Sequence, residues 1–180
     1  MRKKSICRFS FGMGLIFAAL MFLSACANKS AKTEPLEPQI TEAELLAYCP
    51  LVTLRAGTAF YNTYQSGGQD DPTMVVYQAA IRDVTRTCQT SANTLSMKVA
   101  AAGRVVPGPK FKAGTITMPI RVVVVQGERV LYSKLHRYPV KINNSQEATQ
   151  FIFSDDHISL PKPTAKNLRV YVGFDEGAKK

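Results

Sequence analysis

The sequence predicts an antiparallel β-sandwich, and three observations in its 180 residues carry that expectation. Beyond Pro50 the apolar residues recur with period two, the spacing at which alternate side chains reach one face of a pleated strand. β-Branched residues dominate those runs, and clusters of Gly, Pro, Asn and Asp separate them. No helix-period segment of comparable length follows Pro50. Seven such runs suffice to bury one core. Two packed sheets, immunoglobulin-like in the broad sense, are the economical arrangement, and a small β-barrel is the alternative.

A short helix precedes the strands. Thr41-Glu42-Ala43-Glu44 spells a capping box, in which the Thr41 and Glu44 side chains each satisfy an orphan backbone N–H, and Pro50 closes the segment after Leu45 and Leu46. The first β run, Val52 to Tyr64, stops at the polar stretch Gln65 to Pro72. Met74 to Cys88 comes next. There Val75, Tyr77, Ala79 and Ile81 share a face, whereas Val84 and Cys88 fall on the other parity. One extra residue near Arg82-Asp83, a β-bulge, reconciles the two halves. Leu95, Met97, Val99 and Ala101 alternate with Ser96, Lys98 and Ala100 in a half-buried strand. Gly103 to Gly114 holds Pro107, Gly108 and Pro109 and reads as a turn or long loop.

Ile116, Met118, Ile120, Val122 and Val124 form the following strand, where Pro119 points to an edge or a bulge. Gln126-Gly127-Glu128 turns that strand into Val130 to Ile142 as a hairpin. After a loop at Asn143 to Glu147 come Phe151-Ile152-Phe153 and Leu168 to Val172, separated by Pro161-Lys162-Pro163. Length and the lack of an internal repeat place residues 41–176 in one domain, with 177–180 as a frayed tail.

The N-terminus has a different character. Met1-Arg2-Lys3-Lys4 and Arg8 precede an apolar run from Phe11 to Leu23, the layout of an export signal. That run is 13 residues long, short of the roughly 20 apolar residues a spanning helix needs. It ends at Leu23-Ser24-Ala25-Cys26, which resembles the lipobox of bacterial lipoproteins: a branched apolar residue, two small residues and an obligatory Cys. The resemblance implies that residues 1–25 are a signal peptide and that Cys26 carries diacylglycerol on its sulfur and an acyl chain such as palmitate on its amine. Two or more chains suffice for stable membrane anchoring. Ala27, where the enteric sorting rule would place Asp for retention in the inner membrane, favours the periplasmic face of the outer membrane. Residues 26–40, polar and carrying Pro35 and Pro38, read as the lipidated N-terminus and a flexible tether. Segments around Cys49 to Thr58, Asp83 to Cys88 and Gly103 to Pro109 also resemble small uncharacterised envelope lipoproteins of alphaproteobacteria, which implies location rather than chemistry.

On that reading Cys7 leaves with the signal and Cys26 is consumed by lipid. Cys49 and Cys88 remain, in an oxidising compartment, and are expected to pair. A zinc site from these Cys with His136 and His157 lacks any ligand spacing. The whole sequence has a formal charge of +10. Loss of Arg2, Lys3, Lys4 and Arg8 leaves 19 Lys/Arg against 13 Asp/Glu, a moderate excess with no cluster dense enough for nucleic acid.

No Gly-x-Ser-x-Gly, Ser-x-x-Lys or His-Glu-x-x-His motif is present, so no catalytic residue, metal ligand or cofactor is assigned. Asp155-Asp156-His157 is the one compact polar constellation. Two carboxylates and an imidazole suit metal or acid–base work, but alternation along a strand would part them, and Ser154-Asp155-Asp156 is good turn chemistry. His136 reads as a solvent-facing strand residue. Arg82 and Arg86 share strand parity and could meet an anionic partner or a cross-strand acid. Seven Tyr and no Trp suggest a contact surface or an ordinary sheet. The expectation is a membrane-anchored, non-catalytic module that offers an edge or face to another envelope protein, β-augmentation being one mode. The alternative is a binding protein for a glycan or small ligand in a Tyr-lined groove.

Overall fold

The computed structural model describes residues 40–177. The expected signal peptide, Cys26, nearly all of the expected tether and the tail beyond Gly177 lie outside the described residues. Helix α1, Glu42–Leu46, begins with the expected capping box: Thr41 accepts from the Glu44 N–H at 3.3 Å, and Glu44 accepts from the Thr41 N–H at 2.9 Å. That backbone donor, followed by Lys166, holds the Glu44 carboxyl at about 2, well below the ordinary range.

Eight strands follow: β1 (Val52–Leu54), β2 (Phe60–Tyr64), β3 (Val75–Thr90), β4 (Thr94–Pro107), β5 (Gly114–Gln126), β6 (Arg129–Ile142), β7 (Thr149–Pro161) and β8 (Leu168–Phe174). They form two four-stranded sheets, ordered β1-β8-β5-β6 and β2-β3-β4-β7. All pairs are antiparallel except β1 with β8. The sheets pack as a sandwich and do not close into a barrel. Between them lies the core, including Leu95, Val99, Ile120, Val122, Phe153 and Val170. Both sheets, the core and both disulfide cysteines fall within residues 40–177, so a chain beginning at Cys26 contains every described element of the fold.

Several expectations are corrected. The run Val52 to Tyr64 is two strands in different sheets. Gly57, at φ +79°, turns the chain; Thr58 then accepts from the Phe174 N–H in the first sheet at 2.8 Å, and Ala59 accepts from the Ile81 N–H in the second at 2.9 Å. One residue step carries the backbone between layers. Gly103 to Pro107 continues β4 rather than forming a loop, and Gly103 is required there because a Cβ would meet the Ala80 carbonyl and approach the Phe151 ring to 2.6 Å. Pro119 lies in an interior strand, at the end of the β5–β8 ladder, where it lacks an N–H to donate but its carbonyl still accepts from the Asp175 N–H at 3.0 Å. Ser154 to Asp156 lies inside β7, not in a turn.

The bulge expected near Arg82-Asp83 is present: β3 pairs Ile81 with Gly103 and Asp83 with Ala102, leaving Arg82 as the extra residue. This turns Val84, Arg86 and Cys88 inward. Arg82 and Arg86 therefore do not share a face, and Arg86 donates to the Cys49 carbonyl at 3.4 Å. Cys49 and Cys88 are disulfide-bonded, with Cα atoms 5.6 Å apart. The bond ties the segment leading into the first sheet to β3 of the second and closes one side of the sandwich.

Candidate functional site

The opposite side of the sandwich is bounded by β6 and β7, the long edge strands of the two sheets. On β6 the residues at core-facing parity are Tyr132, Lys134, His136 and Tyr138, paired with Val124, Val122, Ile120 and Met118 of β5. Polar groups here point into the gap because β6 overhangs the rim of the core. Asp155 meets them from β7. A second bulge sets Val99 opposite Asp155 and Met97 opposite Ile158, so Asp155 keeps the inward parity of Phe151 and Phe153 while Ile158 and Leu160 regain it.

Asp155 is 1% exposed, the one buried carboxylate among the described residues. It accepts from the Tyr132 hydroxyl at 2.7 Å, lies 2.9 Å from His136 Nε2 and accepts from the His157 N–H at 3.3 Å. Burial raises its carboxyl, but the bonds from Tyr132 and His136 outweigh that penalty, and the net shift is downward. Burial, followed by the bond to Asp155, pushes the Tyr132 phenol up. His136 therefore faces Asp155, not solvent, and its ring stands edge-on to Phe153 at 5.0 Å between centroids. Tyr138 adds a bond to the Ile152 carbonyl at 2.8 Å.

Asp156 and His157 do not join this cluster. Both are exposed; His157 Nδ1 sits 2.9 Å from Asp156 and 3.9 Å from Asp155. Among the described residues no trio of His, Cys, Asp and Glu is arranged to hold a metal. Both Asp155 oxygens are engaged and its acidity is enhanced, which makes it a weak proton acceptor. The grooves near Arg55, Tyr138, Thr87 and Tyr48 do not include it in their lining. The arrangement braces two sheets across their open side.

The tyrosines do not all converge on one groove: Tyr48 and Tyr171 line one together with Lys166 and Arg169, and the others lie elsewhere. Tyr48 bridges both backbone groups of Leu168 at 3.1 Å, Tyr77 donates to the Thr117 carbonyl, and Tyr61 stacks on Phe174. Sequence periodicity gave no sign of the Tyr132–Asp155–His136 bridge, since its members lie on different sheets.

Family models, curated proteins and solved structures give no match to this chain.

The outer face of the second sheet holds the largest exposed apolar side chains on any strand. Phe60 is 67% and Ile152 71% exposed. Register places Phe60 beside Ala80 and Ala80 beside Arg104; one row away, Ala102 pairs with Ile152. Two bulky side chains thus flank a floor of small ones.

Proposed function

We propose that the chain is the precursor of a lipid-anchored envelope protein whose folded part is a non-catalytic module, presenting the outer face of the second sheet to another envelope protein. The exposed pair Phe60 and Ile152 over an alanine floor carries this reading. Apolar surface left in water costs about 25 cal/mol per Å², and bulky apolar anchors on a flat face are the usual centre of a protein interface. Docking through the face is better supported than strand addition. Lys134, Arg137, Pro139 and Lys141 line the β6 edge, the residues that guard edges against pairing.

Anchoring is supported by Leu23-Ser24-Ala25-Cys26, and export by the pairing of Cys49 with Cys88. The test is site-specific photocrosslinking of the lipidated protein in membranes, with the photoreactive group at position 60 or 152. One protein adduct is expected from both positions, lost when the other anchor is changed to Ser. Adducts that persist in those variants, or crosslinks to lipid alone, would overturn the reading.

A further inference from the structure

The outer face of the first sheet concentrates positive charge. Cross-strand register puts Arg121 opposite Leu135 and Gly173, Arg169 opposite Val125, Arg137 opposite Pro119, and Lys141 opposite Thr115. Arg55 continues the parity of Thr53, the partner of Tyr171, and shares a groove of about 190 Å³ with Arg121 and Tyr171. Near these five cations are Asp175, already paired with Arg121, and Glu176, which with Arg137 lies close enough to Tyr61 to act on its phenol. No salt bridge among the described residues involves Arg55, Arg137, Lys141 or Arg169. Between the cations lie half-buried Val123 and Val125 and Leu135, 37% exposed, beside Ser133 and Tyr171. The second sheet has no such imbalance: Arg82, Lys98 and Arg104 share its outer face with Asp83 and Asp156.

We propose that this face lies against the anionic phospholipid headgroups of the membrane that holds the N-terminus. A wide, shallow, cationic surface with a partly apolar centre suits a plane of phosphates better than an enclosed ligand. The chain enters the domain at the β1 edge of this same sheet. Leu51, 67% exposed, opens beside Tyr48, Arg169 and Tyr171. Ile40 lies 14 positions beyond Cys26, so the domain stays within at most about 50 Å of the anchor, and tethering raises its effective concentration at the bilayer into the millimolar range. Choosing a bilayer over another polyanion rests on the anchored reading. It also leaves Phe60 and Ile152, on the opposite side of the sandwich, facing away from the membrane.

The test uses the chain from residue 26 with Cys26→Ser, so that the face binds without the anchor. Co-sedimentation with phosphatidylglycerol vesicles at low salt is expected, with none on phosphatidylcholine vesicles. Each unpaired cation removed should weaken partitioning about fivefold, and Arg55→Gln/Arg137→Gln/Arg169→Gln about a hundredfold. Arg82→Gln/Arg104→Gln, on the other face, should leave binding unchanged, and salt near 0.5 M should release the protein. Equal binding to both vesicles, no binding to phosphatidylglycerol, or an unaffected triple variant would overturn the proposal. So would binding to a soluble polyanion such as heparin without binding to vesicles. Because the protein used carries no lipid, fractionation of the native chain tests the anchor separately.

Discussion

Asp155→Ala is expected to open the β6–β7 side of the sandwich. In the folded protein Asp155 accepts from Tyr132 at 2.7 Å, lies 2.9 Å from His136 Nε2 and accepts from the His157 N–H at 3.3 Å. Hydrogen bonds to a charged group contribute about 1.5–3 kcal/mol each when buried. Two features reduce the sum here. The substitution also removes the cost of burying a carboxylate, and the His136 side chain, 18% exposed, can turn to water. A net loss of about 2–3 kcal/mol follows, or roughly 6–10 °C in Tm for a domain of this size. Asp155→Asn keeps an acceptor for Tyr132 and should lose about 1 kcal/mol.

Urea unfolding gives the free energies, and a double-mutant cycle with His136→Ala isolates the bridge, with a coupling of about 1 kcal/mol expected. The native Asp155 carboxyl is depressed below the ordinary value of 3.8. Its contribution is therefore complete above that value and disappears as pH falls through the lowered native one, so wild type and Asp155→Ala should converge in acid. If Asp155→Ala unfolds within about 0.5 kcal/mol of wild type at pH 7, the bridge is not a brace.

Three further outcomes are expected. Reducing the Cys49–Cys88 bond, which spans 39 residues, should cost about 4 kcal/mol on the chain-entropy model. Hydrogen exchange should rise first in Val52–Leu54, and unchanged stability in reductant would contradict the assignment. Gly103→Ala should destabilise by about 1–3 kcal/mol, since its new methyl meets the Ala80 carbonyl and the Phe151 ring; a variant of wild-type Tm would show that β4 yields there without strain. Mass spectrometry of the exported protein should find Cys26 as the first residue with diacylglycerol attached, and a soluble product with a free thiol at that position would remove the anchor.

Much of the fold was legible because a strand's inward face is written locally. Val75, Tyr77, Ala79 and Ile81, and then Leu95, Met97, Val99 and Ala101, announce their burial by parity alone, and the broken parity before Val84 located the first bulge. The capping box at Thr41 was equally local. The misread places share another cause. Gly103 resembled a loop residue because what excludes its Cβ is a neighbouring strand and a distant Phe ring. Val52 to Tyr64 kept one rhythm across a change of sheet, which hydrogen bonds to Phe174 and Ile81 impose.

By itself, then, the sequence determined the β class and most inward-facing residues and raised the expectation of an export signal and a lipid-carrying Cys26, all of them patterns within a few neighbouring positions. Tertiary structure alone decided that Asp155, His136 and Tyr132 meet, that the cations collect on one sheet face, and that Phe60 and Ile152 share the other. Each of these depends on which strands lie side by side, or stack across the sandwich, at which register. Strand order is set by long-range packing, and period two carries no information about it.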